Sequence, residues 1–141
     1  FPIAFDADPR KVALQLLNGG YLDSNRLVMI THGFHNDFTT DWLHEYKEAI
    51  FNASAAAKYD QTVAILGWGK GANILVFRYR QAASNVVPVG NWLANFTRAI
   101  YDLKPRLPIY GIGHSLGAHV MGTAGRVSKV FTRITGKFGI A

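Results

Sequence analysis

Apolar residues fall along this chain in short blocks, and each block gives way to a glycine or polar break before a segment with helical spacing. Arg26-Leu27-Val28-Met29-Ile30-Thr31 is the first such run. It ends at His32-Gly33, and its β-branched content predicts a buried strand. Thr40 or Asp41 then offers a helix cap, followed by Trp42, Leu43, Tyr46, Ile50 and Ala53 at helical spacing. Thr62 to Leu66 is a second strand, broken by the glycines at 67, 69 and 71. A long helical region covers about 77–103, with Pro88 and Gly90 marking a kink or a helix start. Leu107 to Ile112 is a third strand that Gly113 ends, Ala118 to Arg126 reads as a helix, and Val130 to Thr135 as a fourth strand interrupted by Arg133. Strands that are apolar nearly throughout, alternating with helices, predict an α/β fold with a mostly parallel sheet covered on both faces. No internal repeat or linker divides residues 1–141, so they read as one unit.

Composition narrows this picture. The 141 residues are 49% hydrophobic and 17% charged, enough to bury a core and too few charges for a disordered chain. The net charge of +6 arises from scattered basic residues with no Lys/Arg run longer than two. That pattern argues against nucleic acid and fits attraction to anionic lipid surfaces or sulfated sugars. Arg126, Lys129, Arg133 and Lys137 form a basic stretch best read as a solvated face. There is no cysteine, which excludes disulfides, thiolate metal sites and a catalytic thiol. Asn52-Ala53-Ser54 and Asn95-Phe96-Thr97 are acceptor patterns for N-glycosylation in a secreted protein. No signal peptide or membrane-length apolar stretch is visible, and an opening Phe1 is expected for a processed or trimmed N-terminus.

The chemistry concentrates at Gly113-His114-Ser115-Leu116-Gly117. A Gly-x-Ser-x-Gly turn between a strand and a helix is the nucleophile elbow of α/β-hydrolases. Glycines let strand and helix approach closely while the serine hydroxyl projects above the strand ends. Ser115 is therefore the candidate nucleophile; a plain strand-to-helix turn is the alternative. The N–H of Leu116 would serve one position of an oxyanion hole, helped by the helix N-terminus. His32-Gly33-Phe34 follows the first strand, where the second donor is expected, which makes the Phe34 N–H the candidate. His32 itself is either part of this loop's chemistry or a satisfied structural histidine.

The remainder of a catalytic triad is not legible. On this fold the acid and then the histidine follow the serine, and no aspartate or glutamate follows Ser115. His119 is the sole histidine downstream, four residues along the same helix, where packing is the better reading. His35, His44, Asp37 and Asp41 lie upstream, in the wrong order for this fold. His32 and His35 lack the spacing of a metal set, and Gly67-Trp68-Gly69-Lys70-Gly71 lacks the Gly-Lys-Ser/Thr ending of a phosphate loop. No metal and no cofactor is expected.

At these residues the chain resembles the animal neutral lipase family, the pancreatic, lipoprotein and hepatic lipases with their phospholipase A1 relatives. The resemblance runs from about Leu27 to Gly136. It rests on Ile30-Thr31-His32-Gly33-Phe34, Trp42-Leu43, the stretch from Tyr79 to Asn85 with Val89-Gly90, the segment from Gly113 to His119, Gly122, Ala124-Gly125-Arg126 and Arg133-Ile134-Thr135-Gly136. It implies an α/β-hydrolase sheet, here with only its N-terminal half, truncated after the strand that follows the nucleophile helix. It also implies Ser115 as the acyl-forming nucleophile, Phe34 and Leu116 as oxyanion donors, and a secreted protein acting on lipid esters. Two positions depart from the family. Gly67-Trp68 stands where Asp-Trp is usual. Phe138 stands where the triad aspartate would be, and the family's catalytic histidine, lid and C-terminal lipid-binding domain have no counterpart here.

Two functions follow as expectations. One is a lipase-type carboxylic ester hydrolase, of triacylglycerol lipase or phospholipase A1 type, whose acid and base lie outside this sequence. The other is a non-catalytic lipase-like protein with a storage, lipid-binding or assembly role. In either case the last strand is expected to leave an exposed sheet edge for a partner chain or oligomer to cover.

Overall fold

The computed structural model describes residues 2–4, 7–33, 41–68 and 79–137. Their order is β1 (Pro2–Ala4), α1 (Pro9–Asn18), β2 (Arg26–Thr31), α2 (Asp41–Ala57), β3 (Gln61–Gly67), α3 (Tyr79–Leu103), β4 (Ile109–His114), α4 (Leu116–Ser128) and β5 (Arg133–Lys137). The five strands form one sheet in the order β1-β3-β2-β4-β5, and every neighbouring pair is parallel. The α/β class expected from the sequence holds.

The strand order dictates where the helices lie. Crossovers between parallel strands are right-handed. The connections β1 to β2, β3 to β4 and β4 to β5 advance one way along the sheet, and β2 to β3 returns the other way. One hand therefore puts α1, α3 and α4 on one face and α2 alone on the other. The cores agree. Val12 and Leu16 of α1, Leu93, Phe96 and Ile100 of α3, and Val120 and Met121 of α4 bury against Leu27, Met29 and Leu66. On the opposite face Leu43 of α2 packs with Val28, Ile30, Val63 and Ile65 in a much smaller cluster. Alternate residues of β2 serve the two cores, which is why the strand is apolar throughout.

Several elements depart from the sequence expectation for physical reasons. Helix α1 is capped by Asp8, whose side chain accepts from the N–H groups of Arg10 and Lys11 at 2.9 and 3.0 Å, with Pro9 opening the helix. Pro88 lies inside α3, which runs from Tyr79 to Leu103, and so does not start it. Pro88 and Ser84 are both exposed, so water can hydrate the Ser84 carbonyl that proline leaves without a donor. Strand β4 continues through Gly113 to His114, and β5 begins at Arg133. Residues 133–136 of β5 are all exposed, so this end strand has no apolar period to read. No described helix is long and apolar enough to cross a membrane.

Candidate active site

The sheet's connectivity locates a site independently of any motif. Ligands of open α/β sheets bind outside the carboxyl ends of adjacent strands whose following helices leave to opposite faces. By this criterion β2 qualifies against both of its neighbours, β3 and β4, because α2 alone leaves to its face; on the β4 side the ends of β2 and β4 meet with Thr31 opposite Gly113. The first residues beyond them are His32-Gly33 and Ser115.

Ser115 forms the hinge between β4 and α4 with φ 56° and ψ −122°. Three described non-glycine residues have positive φ: Lys58, Ser115 and Lys129. Lys58 directly follows α2 and Lys129 caps α4 in the left-handed region, ordinary ends for helices. Ser115 is instead strained at a strand-to-helix junction, where the cost is about 1–3 kcal/mol and the surrounding packing must hold it. That packing is glycine-dependent. A Cβ on Gly33 would lie 2.8 Å from Ser115 Cβ and 3.3 Å from its Oγ, so the loop after β2 runs directly beside the hydroxyl. A Cβ on Gly117 would lie 2.5 Å from the carbonyl oxygens of both Thr31 and His32, which seats the first turn of α4 on the end of β2.

Ser115 is partly exposed, and among the described residues its hydroxyl makes no hydrogen bond. Leu116 is buried and opens α4, so its N–H is one of the helix's orphan donors. The Ala118 N–H is already used by the Ser115 carbonyl at 2.9 Å. Leu116 also lines an open groove of about 560 Å³ between α3 and α4, with Ala83, Val86, Gly122 and Arg126 on its walls. Phe34, the other expected oxyanion donor, lies outside the described residues, as do His35, Asp37 and Phe138. Gly33, its chain neighbour, is the nearest described residue to Ser115 on that side.

His32 has a structural task. It is fully buried, its Nε2 accepts from the Trp68 backbone N–H at 3.2 Å, and its Nδ1 lies 3.1 Å from the Gly33 carbonyl. This pairing assigns the neutral Nδ1–H tautomer, which donates to Gly33. Trp68 Nε1 donates back to the His32 carbonyl at 2.9 Å, and the two rings stack 5.5 Å apart. The latch ties the ends of β2 and β3 together and fixes Gly33 against Ser115. Trp68, fully buried just beyond β3, keeps the tryptophan of the family's usual Asp-Trp pair, although no contact to His32 is expected from the sequence.

The other titratable candidates do not converge on the serine. His119 is exposed on α4 and lines the α3–α4 groove, and His44 and Asp41 are exposed on α2. His114 packs its ring on Trp42 at 4.7 Å. Three buried side-chain polar atoms among the described residues lack a hydrogen-bond partner: Thr31 Oγ1, His114 Nδ1 and Ser128 Oγ. Two of the three flank the elbow, where unsatisfied polar groups concentrate in functional sites. Asn52 and Asn95 are both exposed, whereas their sequon hydroxyls are inward: Ser54 bonds the Ile50 carbonyl at 2.7 Å and Thr97 the Leu93 carbonyl at 2.9 Å.

A parallel sheet with a strained serine between strand and helix at its switch point defines an α/β-hydrolase-type protein. The comparisons make this specific: the family described as Lipase matches residues 12–137, and the chain belongs to that family of lipase-type ester hydrolases. It is 33% identical over 111 residues to phospholipase A1 1 of Vespa affinis, covering 72% of this chain and 31% of that protein. It is 33% identical over 111 residues to pancreatic triacylglycerol lipase of Cavia porcellus, covering 76% of this chain and 22% of that protein. It is also 33% identical over 110 residues to inactive pancreatic lipase-related protein 1 of Homo sapiens, covering 76% and 22%. The chain thus spans about a third or less of the length of these relatives.

Proposed function

We propose that this chain carries the nucleophile half of a lipid ester hydrolase. Ser115 Oγ attacks the ester carbonyl and forms an acyl-enzyme, and the N–H groups of Leu116 and Phe34 receive the charge that develops on the carbonyl oxygen. The observation that carries this reading is the strained, partly exposed Ser115 with Gly33 pressed beside its hydroxyl. Strain that the fold maintains at one non-glycine residue, away from any helix C-cap, supports a working nucleophile. The acid and base come from sequence beyond these residues or from a partner chain. Without them, residual catalysis over water from an oxyanion hole and binding is roughly 10³- to 10⁴-fold.

The substrates are lipid esters of triacylglycerol or phospholipid type, met at a lipid surface outside the cell. Exposed Asn52 and Asn95 are suited to carry glycans there. The exposed end strand β5 is where a partner chain or second copy would pair. A non-catalytic role is favoured by one observation: among the described residues no histidine or carboxylate bonds Ser115. A relative bearing the name inactive lipase-related protein has comparable identity, so an intact elbow alone does not decide turnover.

The test is intact-mass analysis after treatment with a fluorophosphonate probe. A single adduct that disappears in Ser115→Ala is expected from the hydrolase reading. A folded parent that takes no label overturns it in favour of a binding or assembly role.

A further inference from the structure

A second cavity lies on the face of the sheet that α2 covers. It measures about 400 Å³, lies between α2 and β4, and is lined by Trp42, Glu45, Tyr46, Ala49, Ile112 and His114. The four α2 residues recur at three- and four-residue spacing and so share one helix face. Ile112 and His114 alternate onto the same side of β4. Three of the six lining side chains are aromatic rings, and Glu45 is the only carboxylate among them. No cation pairs with Glu45 among the described residues, and the nearby Lys47 is paired to Glu48 at 3.2 Å.

This combination selects a particular kind of ligand. The apolar, ring-rich wall disfavours a compact, strongly hydrated cation, which would lose its water for little return. The carboxylate disfavours an anion, although the chain as a whole carries +6. A cation wrapped in methyl groups satisfies both constraints, because its charge meets the faces of Trp and Tyr rings while its methyls cover apolar surface. The volume falls within the range of small-molecule sites. The position also suits a substrate group: His114, on the cavity wall, immediately precedes Ser115.

We propose that this cavity receives the trimethylammonium headgroup of a choline phospholipid, with Trp42 and Tyr46 supplying ring faces and Glu45 the countercharge. The inference rests on the ester-hydrolase reading and names its substrate class.

The test is a titration of the ¹⁵N-labelled chain with choline chloride against a sodium chloride control, read at the Trp42 indole N–H. A saturable shift is expected with Kd on the order of 10 mM. Glu45 is exposed, so its contribution is screened: Glu45→Gln is expected to weaken binding about three- to fivefold. Glu45→Lys, which places a cation at the site, is expected to abolish it. The indole signals of Trp68 and Trp92 report that both variants remain folded. No saturable shift in the parent, or one unchanged by Glu45→Lys, overturns the proposal.

Co-sedimentation with phosphatidylcholine vesicles distinguishes a lipid from a soluble ligand. Binding of the parent but not of Glu45→Lys is expected. Choline binding without vesicle binding overturns the phospholipid assignment. Fluorophosphonate labelling is scored separately. A bound headgroup with an unlabelled serine overturns the hydrolase reading alone, and a labelled serine without choline binding overturns the headgroup site alone.

Discussion

Helix α4 carries three glycines in different surroundings, and they turn the elbow geometry into a quantitative test. Gly122 is exposed, and a Cβ built on it meets nothing within 4 Å. Replacing it with alanine removes glycine's backbone entropy cost in a helix interior and is expected to stabilise the chain by about 0.5–1 kcal/mol. Gly125 is intermediate: its Cβ would touch Cδ1 of Ile134, the far end of an exposed side chain that can turn aside, so Gly125→Ala is expected to be near neutral. Gly117 is different in kind. Its Cβ would stand 2.5 Å from two carbonyl oxygens of β2's end, where ordinary contact begins near 3.4 Å. The helix would have to retreat from the sheet by about 1 Å, and neither obstacle is a side chain that can rotate. Overpacking of this kind costs about 1–3 kcal/mol. Urea unfolding midpoints at constant m-value, or melting temperatures, measure the series, with 1 kcal/mol worth about 3 °C in a domain of this size. The expected order is Gly122→Ala above parent, Gly125→Ala level with parent and Gly117→Ala well below. A Gly117→Ala variant as stable as Gly122→Ala would refute the seating of α4 on β2, and with it the placement of Ser115.

Three further outcomes follow from the same geometry. Ser115→Gly relieves the positive φ and is expected to raise stability by about 1 kcal/mol while abolishing fluorophosphonate labelling, whereas Ser115→Ala loses the label without the full gain. Gly33→Ala drives a methyl into Ser115 at 2.8 Å and is expected to suppress labelling at least tenfold with the far-UV circular dichroism spectrum retained. Trp68→Phe removes the Nε1–H donor to the buried His32 carbonyl and is expected to cost about 1–3 kcal/mol in a denaturant melt.

The sequence made some of these features legible and hid others, for identifiable reasons. Strand β2 was bounded correctly because both its faces are buried, so apolarity starts and stops with the strand. The elbow was legible because strand, glycines and helix are contiguous. Asp8-Pro9, with Val12, Ala13 and Leu16 behind it, is a local helix start that lies outside the apolar blocks. Strand β1 is three residues long and exists because it pairs with Ile65, Leu66 and Gly67, a tertiary fact with no local trace. The approach of Gly33 to Ser115 and the His32–Trp68 latch join residues 82 and 36 positions apart, where only the sheet order brings them together. The same order, with its single reversed crossover, marks the switch point that no local motif encodes.

That reversal also leaves the two faces of the sheet unequally anchored. Helices α1, α3 and α4 share one large core, whereas α2 is held by Leu43 and a few partly buried neighbours, with most of its other residues exposed. Opening free energies scale with the buried contacts that must be broken, so α2 is the unit that detaches at lowest cost while the rest of the sheet stays intact. Its amides should exchange with solvent by sub-global opening well before those of β2 or α3. Because Trp42 sits at the start of α2 and rests on the ring next to the nucleophile, each opening also uncovers that flank of the elbow. The least cooperative part of the fold is thus the element that flanks its strained serine, so the two are expected to be exposed together.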